Sequence, residues 1–446
     1  MENFILKYFS SDKDKVVIKN IVAAFVIKGG ALLISFFSLP AYIRYFDNNE
    51  VLGVWYTILS VLTWILAFDF GIGNGLRNKL VGALVRNDKT EVKQNVSSAY
   101  FVIGGIVLLV TSLGSIVSPY INWNSVFNIS ETLVSPATML FMVTCVFFTI
   151  MLQFFLRLIS FVLYALQKSA LNNLMALITS VTQLMFVLLF PYVNTETNIK
   201  VLSVVYLLCV NVPLFIATII IFATKLKGCY PSFKFLNKSA AKSILQLGGV
   251  FFWNQIMYML ITGTNSILIT KFIGPGSVVD YQIYYRLFLV SGMLFMLALT
   301  PMWSAITKAF EEKDGAWINK YFKLLNRLVM MVILCEFLIV PFLQILVNIW
   351  LGENTISINY INAMIFALFG SVFIYVSVLS TFACGMGKMK LQAIFFTIGV
   401  GVKFILIYIG FTLYNNWIII VLSDIIILLP YCLFQLIAFK KQFSVL

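Results

Sequence analysis

The chain has 446 residues, of which 61% are hydrophobic and only 11% charged, with 42 Phe, 20 Tyr and no His. Soluble domains carry about 25% charged residues, and no interior of this size could bury so much apolar side chain, so the solvent is lipid. The net charge of +14 therefore needs a reason other than nucleic acid, the partner that a basic chain ordinarily suggests.

A helix crossing a bilayer needs about 20 mostly apolar residues. By that measure the sequence predicts about twelve spans, near 19–43, 51–70, 95–118, 135–160, 172–191, 201–223, 244–272, 281–307, 326–350, 359–386, 391–412 and 417–439. A membrane β-barrel is excluded, because its strands are short and alternate apolar with polar. The run 205–222 is apolar on every face and too long for such a strand. Residues 1–19 hold Lys7, Lys13, Lys15 and Lys19 but no apolar core ending in a small-residue cleavage site, so no cleavable signal is expected.

The connections predict the orientation. Segments 1–19, 71–93, 164–171, 224–243, 308–327, 385–390 and 440–446 hold 24 of the 31 Lys and Arg. The opposite loops hold only Arg44, Lys200 and Lys271. Basic loops stay on the cytoplasmic side, so both termini are expected there. The basic pI thus reports orientation and gives no support to a nucleic-acid partner.

The longest basic connection, 224–243, lies at mid-chain and predicts two six-helix bundles, 1–223 and 244–446, joined by a cytoplasmic linker. Gly29-Gly30 and Gly248-Gly249, each opening a span, hint at an internal duplication. The cysteines Cys145, Cys209, Cys229, Cys335, Cys384 and Cys432 are scattered, and no metal site or disulfide framework is readable from them. No cofactor is expected.

Gly71, Gly73 and Gly75 follow a lipid-type helix instead of a β-strand, so a nucleotide-binding loop is rejected there. Instead, 68-FDFGIGNGLRNKL-80 and the style of 39-LPAYIRYFDNNEVLGVWY-56 resemble the polysaccharide-unit (O-antigen) flippases of the multidrug/oligosaccharidyl-lipid/polysaccharide exporter superfamily. The resemblance implies an all-α polytopic membrane protein with two six-helix bundles around a central cavity. It also implies a transporter, not an enzyme, that moves undecaprenyl-diphosphate-linked sugar units to the periplasmic leaflet in lipopolysaccharide or similar polysaccharide biosynthesis. Cationic cavity residues would meet the diphosphate, and other polysaccharide assembly proteins would be partners. A drug or organic-cation antiporter of the same superfamily is the alternative.

A charge at membrane depth costs at least about 2.5 kcal/mol on insertion scales, so each one needs a reason. Four bases lie within the predicted spans: Lys28, Arg157, Arg286 and Lys403. Each is a candidate for the diphosphate, or else snorkels to an interface or pairs with a buried acid. The acids Asp69, Glu336 and Asp424 are candidates for ion coupling, or for structural pairing with those bases. Asn254, Gln255 and Asn265 give span seven an unusual polar content, suited to sugar hydroxyls or to interhelical hydrogen bonds. Pro213, Pro301, Pro341 and Pro430 lie within spans and predict kinks.

Overall fold

The computed structural model describes residues 71–127, 129–190, 193–273, 276–351, 357–414 and 416–443, with scattered positions between Asn20 and Leu59. These residues are helical, with no β-strand among them. Ten of the described helical stretches are long and apolar enough to cross a bilayer. The expected spans 19–43 and 51–70 fall partly outside the described residues, and the side chains of Lys28 and Asp69 wholly so.

The chain folds as two compact units, Met1–Gly249 and Val250–Leu446. Unit one contains α1 (Ile72–Val85), α2 (Lys89–Val117), the short α3 (Trp123–Val126), α4 (Pro136–Leu156), α5 (Leu158–Ala165), α6 (Ser169–Leu189) and α7 (Thr195–Ala223). The boundary falls inside α8 (Lys238–Thr262). Unit two continues with α9 (Asn265–Phe272), α10 (Gly276–Glu311), α11 (Gly315–Ile339), α12 (Leu343–Leu351), α13 (Tyr360–Gly385), α14 (Lys390–Leu413) and α15 (Ile418–Phe443).

Many large apolar side chains point outward. On α2, Leu108, Leu109, Leu113 and Ile116 are all exposed, which is tolerable only where the surrounding medium is itself apolar. The interior of unit one is built from Ile72, Leu76 and Leu80 of α1 against Val96 and Tyr100 of α2 and Ile159 and Val162 of α5. Polar groups appear where they can pair. Buried Asn198 donates from Nδ2 to the Tyr45 carbonyl (2.8 Å), and Tyr45 Oη donates to the Asn198 carbonyl (3.0 Å).

Segment 71–93, expected as a connection, is mostly helix. It forms α1, a tight turn with Asn87 at φ 55°, and the first turn of α2, capped by Asp88 accepting from the Thr90 and Glu91 amides. Its glycines serve close backbone approach in place of looping. Gly71 is left-handed at φ 67°, and a Cβ built there would collide with the Gly248 carbonyl oxygen. One at Gly75 would lie 2.6 Å from the Ile244 oxygen. The start of α1 thus crosses the unit-one part of α8 at a contact that only glycine fits.

The expected linker 224–243 is also ordered against its bundle. Ser98 Oγ donates to the Asn237 carbonyl (3.1 Å), the Ser232 amide donates to Ser97 Oγ (3.1 Å), and the Phe101 and Phe233 rings stack at 3.9 Å. Of the four prolines, Pro213, Pro301 and Pro430 sit inside continuous helices, while Pro341 marks the 3₁₀ turn between α11 and α12.

Candidate functional site

The helix of span seven breaks without proline. α8 ends at Thr262 and α9 starts at Asn265, leaving Gly263 and Thr264 between them. The last carbonyls of a helix lose their intrahelical donors, and the Ile261 carbonyl in that final turn takes a hydrogen bond from Lys403 Nζ, reaching across from α14. Lys403 Nζ also donates to Asn265 Oδ1 (2.6 Å) and lies 2.9 Å from Asp424 Oδ1 on α15. Asn265 Nδ2 in turn donates to Asp424 Oδ2 (2.7 Å) and contacts Tyr281 Oη at 3.3 Å. Four segments of chain therefore meet at one closed polar knot.

That knot is dry. Lys403 and Asp424 are each 0% exposed. Tyr281 belongs to an aromatic group with Phe366 and Trp417, at ring separations of 5.8 and 6.2 Å. Low local polarity strengthens an ion pair but makes each unpaired charge expensive, so the two charges hold one another in place. In this conformation Lys403 is committed to Asp424 and Asn265 is committed to both.

Glu336 on α11 is held differently. It accepts from Ser291 Oγ of α10 (2.5 Å) and from Ser371 Oγ of α13 (3.1 Å). Its carboxylate lies over Gly370, where a built Cβ would come within 2.9 Å of Oε1. Glu336 is buried, and no ion pair reaches it among the described residues. Glycine at 370 and two serines make a socket shaped for a carboxyl group.

The other candidates stand apart from these two sites. Arg286 on α10 is exposed. Arg157 is half-buried and occupies the junction of α4 and α5, with backbone φ −63° and ψ −15°. Asn254 is buried with neither amide atom hydrogen-bonded, and Gln255 beside it is half-buried. A further buried base, outside the predicted spans, is Arg77 of α1, 2% exposed, its guanidinium carbon 4.8 Å from the centre of the Tyr164 ring. The sequence signal for it is the glycine spacing around it, which marks a packed helix start as readily as a turn. No group of His, Cys, Asp or Glu suited to a metal ion occurs among the described residues.

A multi-pass helical bundle protein with buried charges at depth defines the class, and the fold is that of the MATE-type transporters of the MOP superfamily. A MOP-superfamily transporter from Pyrococcus furiosus, described as having a binding pocket of reversed polarity, superposes with a TM-score of 0.71 at 14% identity, covering 98% of both chains. The Vibrio cholerae MATE transporter VcmN in its bent form superposes with a TM-score of 0.67 at 14% identity, covering 97% of this chain and 98% of that one. In sequence, the chain is 21% identical over 375 residues to the "Putative O-antigen export protein" of Yersinia pseudotuberculosis, covering 81% of each. No protein-family profile matches the chain.

Proposed function

We propose that the protein is a flippase, moving a polyprenyl-diphosphate-linked oligosaccharide from the cytoplasmic to the outer leaflet by alternating access. The observation that carries this reading is the sequence similarity to the "Putative O-antigen export protein" over four-fifths of both chains, on a fold otherwise represented by transporters. In this reading both termini are cytoplasmic, the membrane is a bacterial inner membrane, and 1–223 and 244–446 are the two working halves.

Charge placement supports an anionic cargo over an organic cation. A cation antiporter needs a carboxylate open to its substrate. Here Asp424 is closed off by Lys403 and Asn265, and Glu336 by two serines. Arg286, by contrast, is exposed and offers a planar fork for phosphate oxygens. Arg286, with Lys28 and Arg157, would meet the diphosphate, and Asn254 and Gln255 would face sugar hydroxyls.

The test is reconstitution. Purified protein in vesicles loaded with a polyprenyl-diphosphate oligosaccharide should expose the sugar to an external probe faster than empty vesicles do. Equal rates, with the protein shown folded, would overturn the proposal. Drug-dependent proton or sodium flux in the same vesicles would favour the antiporter instead.

A further inference from the structure

Segment 224–243 of unit one holds five lysines, Lys225, Lys227, Lys234, Lys238 and Lys242, and no acid. All five are exposed, and none forms an ion pair among the described residues. Large apolar side chains interleaved with them also face outward. Tyr230 is 60%, Phe233 78% and Leu236 46% exposed. Lysines account for the charge of a solvated loop, but three outward apolar side chains among them call for an apolar contact.

The segment is fixed in place beside α2. Its Ser232 and Asn237 amides donate to Ser97 Oγ (3.1 Å) and Ser98 Oγ (3.2 Å), and a 3₁₀ turn, Phe233–Phe235, lies between these two anchors. Phe233 covers one face of its ring with Phe101, and Lys93 Nζ lies 4.9 Å from the centre of the Phe235 ring. Ser97, Ser98 and Phe101 belong to the apolar run 95–118, not to the basic connection before it. They lie eight to twelve residues beyond Lys89, where α2 starts, or about 12–18 Å along its axis. The turn is thereby held against a helix long and apolar enough to cross a bilayer, within the stretch that enters it.

We infer that segment 224–243 is an interfacial anchor that binds the acidic phospholipid headgroups of the leaflet it borders. Aromatic and apolar side chains favour the boundary between headgroups and acyl chains, and a basic stretch next to a membrane helix attracts anionic lipid. Tyr230 and Phe233 enter that boundary, and the lysines on either side of the turn meet the phosphates as point charges. The distribution of basic loops makes this the inner leaflet. The anchor itself depends neither on that orientation nor on the flippase reading.

Hydrogen–deuterium exchange of the full chain in lipid discs tests it, read by mass spectrometry on peptides spanning the Ser232 and Asn237 amides. Discs of dioleoyl phosphatidylglycerol are compared with discs of dioleoyl phosphatidylcholine. Both leaflets of a disc carry the same lipid, so orientation does not enter. Exchange is expected to be slower in phosphatidylglycerol, and added salt should remove the difference. In phosphatidylglycerol the Lys234→Ala/Lys238→Ala double variant should exchange roughly thirtyfold faster than the parent, given the usual contribution of one basic side chain beside an acidic surface. Both lysines are exposed, so folding should survive, and monodisperse elution confirms it. A Lys388→Ala/Lys390→Ala control, which removes two exposed lysines of unit two, should leave these peptides unchanged. Tyr230→Ser should speed their exchange in both lipids by withdrawing an apolar anchor. Equal exchange in the two lipids would overturn the inference and leave the lysines to a soluble acidic partner. Equal losses in the two double variants, or parental exchange in Tyr230→Ser, would overturn it as well.

Discussion

Lys403 Nζ lies 2.9 Å from Asp424 Oδ1, and neither side chain is exposed. The pair joins α14 to α15 and, through Asn265 and the Ile261 carbonyl, to the break in span seven. Removing one partner of a buried pair leaves a lone charge and costs about 3–5 kcal/mol, while replacing both by apolar groups is often neutral. Lys403→Met and Asp424→Leu should each lower the thermal midpoint of the detergent-solubilised protein, and the double variant should recover most of the loss. If the single variants match the parent, the knot does not hold these helices.

Glu336 makes a contrasting prediction. Its contacts are two hydroxyl donors, with no base among them. Glu336→Gln keeps an acceptor for Ser291 or Ser371, and thermal melts should place it within about 1 kcal/mol of the parent, the scale of one ordinary hydrogen bond. Gly370→Ala pushes a methyl group to within 2.9 Å of the carboxylate and should destabilise by about 1–3 kcal/mol, as overpacking does. Combining it with Glu336→Ala should restore stability in the same melts.

The glycine crossing between α1 and α8 is testable by size-exclusion chromatography. Gly71→Ala combines a positive φ with a collision at the Gly248 carbonyl, and should give aggregated or poorly expressed protein. Gly249→Ala, whose built Cβ meets nothing within 4 Å, should elute like the parent. A monodisperse Gly71→Ala variant would show that the crossing relaxes freely.

Arg286 separates transport from stability. Being exposed, it should be dispensable for folding, and Arg286→Ala should keep the parental thermal midpoint. In the vesicle assay the variant should flip lipid-linked oligosaccharide about tenfold or more slowly, the loss that accompanies removal of one charge-assisted phosphate contact. Arg286→Lys keeps the charge without the fork and should fall between the two. An unchanged rate for Arg286→Ala would remove it from the diphosphate path.

Much of the architecture is legible in the chain itself. Span length and loop charge are local properties, written into each stretch of residues, and they predict a polytopic helical protein. The glycine run 71–75 shows where such reading stops. Small residues permit either a turn or a close crossing, and only the position of Ile244 and Gly248 beside it decides for the crossing.

The deep charges show the same limit. Lys403, Asp424 and Glu336 each need a reason to be where they are, because lipid makes any charge costly wherever it sits. Which reason applies depends on how each helix is rotated and what its neighbour presents. The fold turns Lys403 and Asp424 toward one another, gives Glu336 two serines, and leaves Arg286 exposed. That these charges must be accounted for follows from the residues one at a time, since the cost of desolvation belongs to each alone. Which of them are spent on one another follows from packing, because pairing requires helices distant in sequence to bring their faces together.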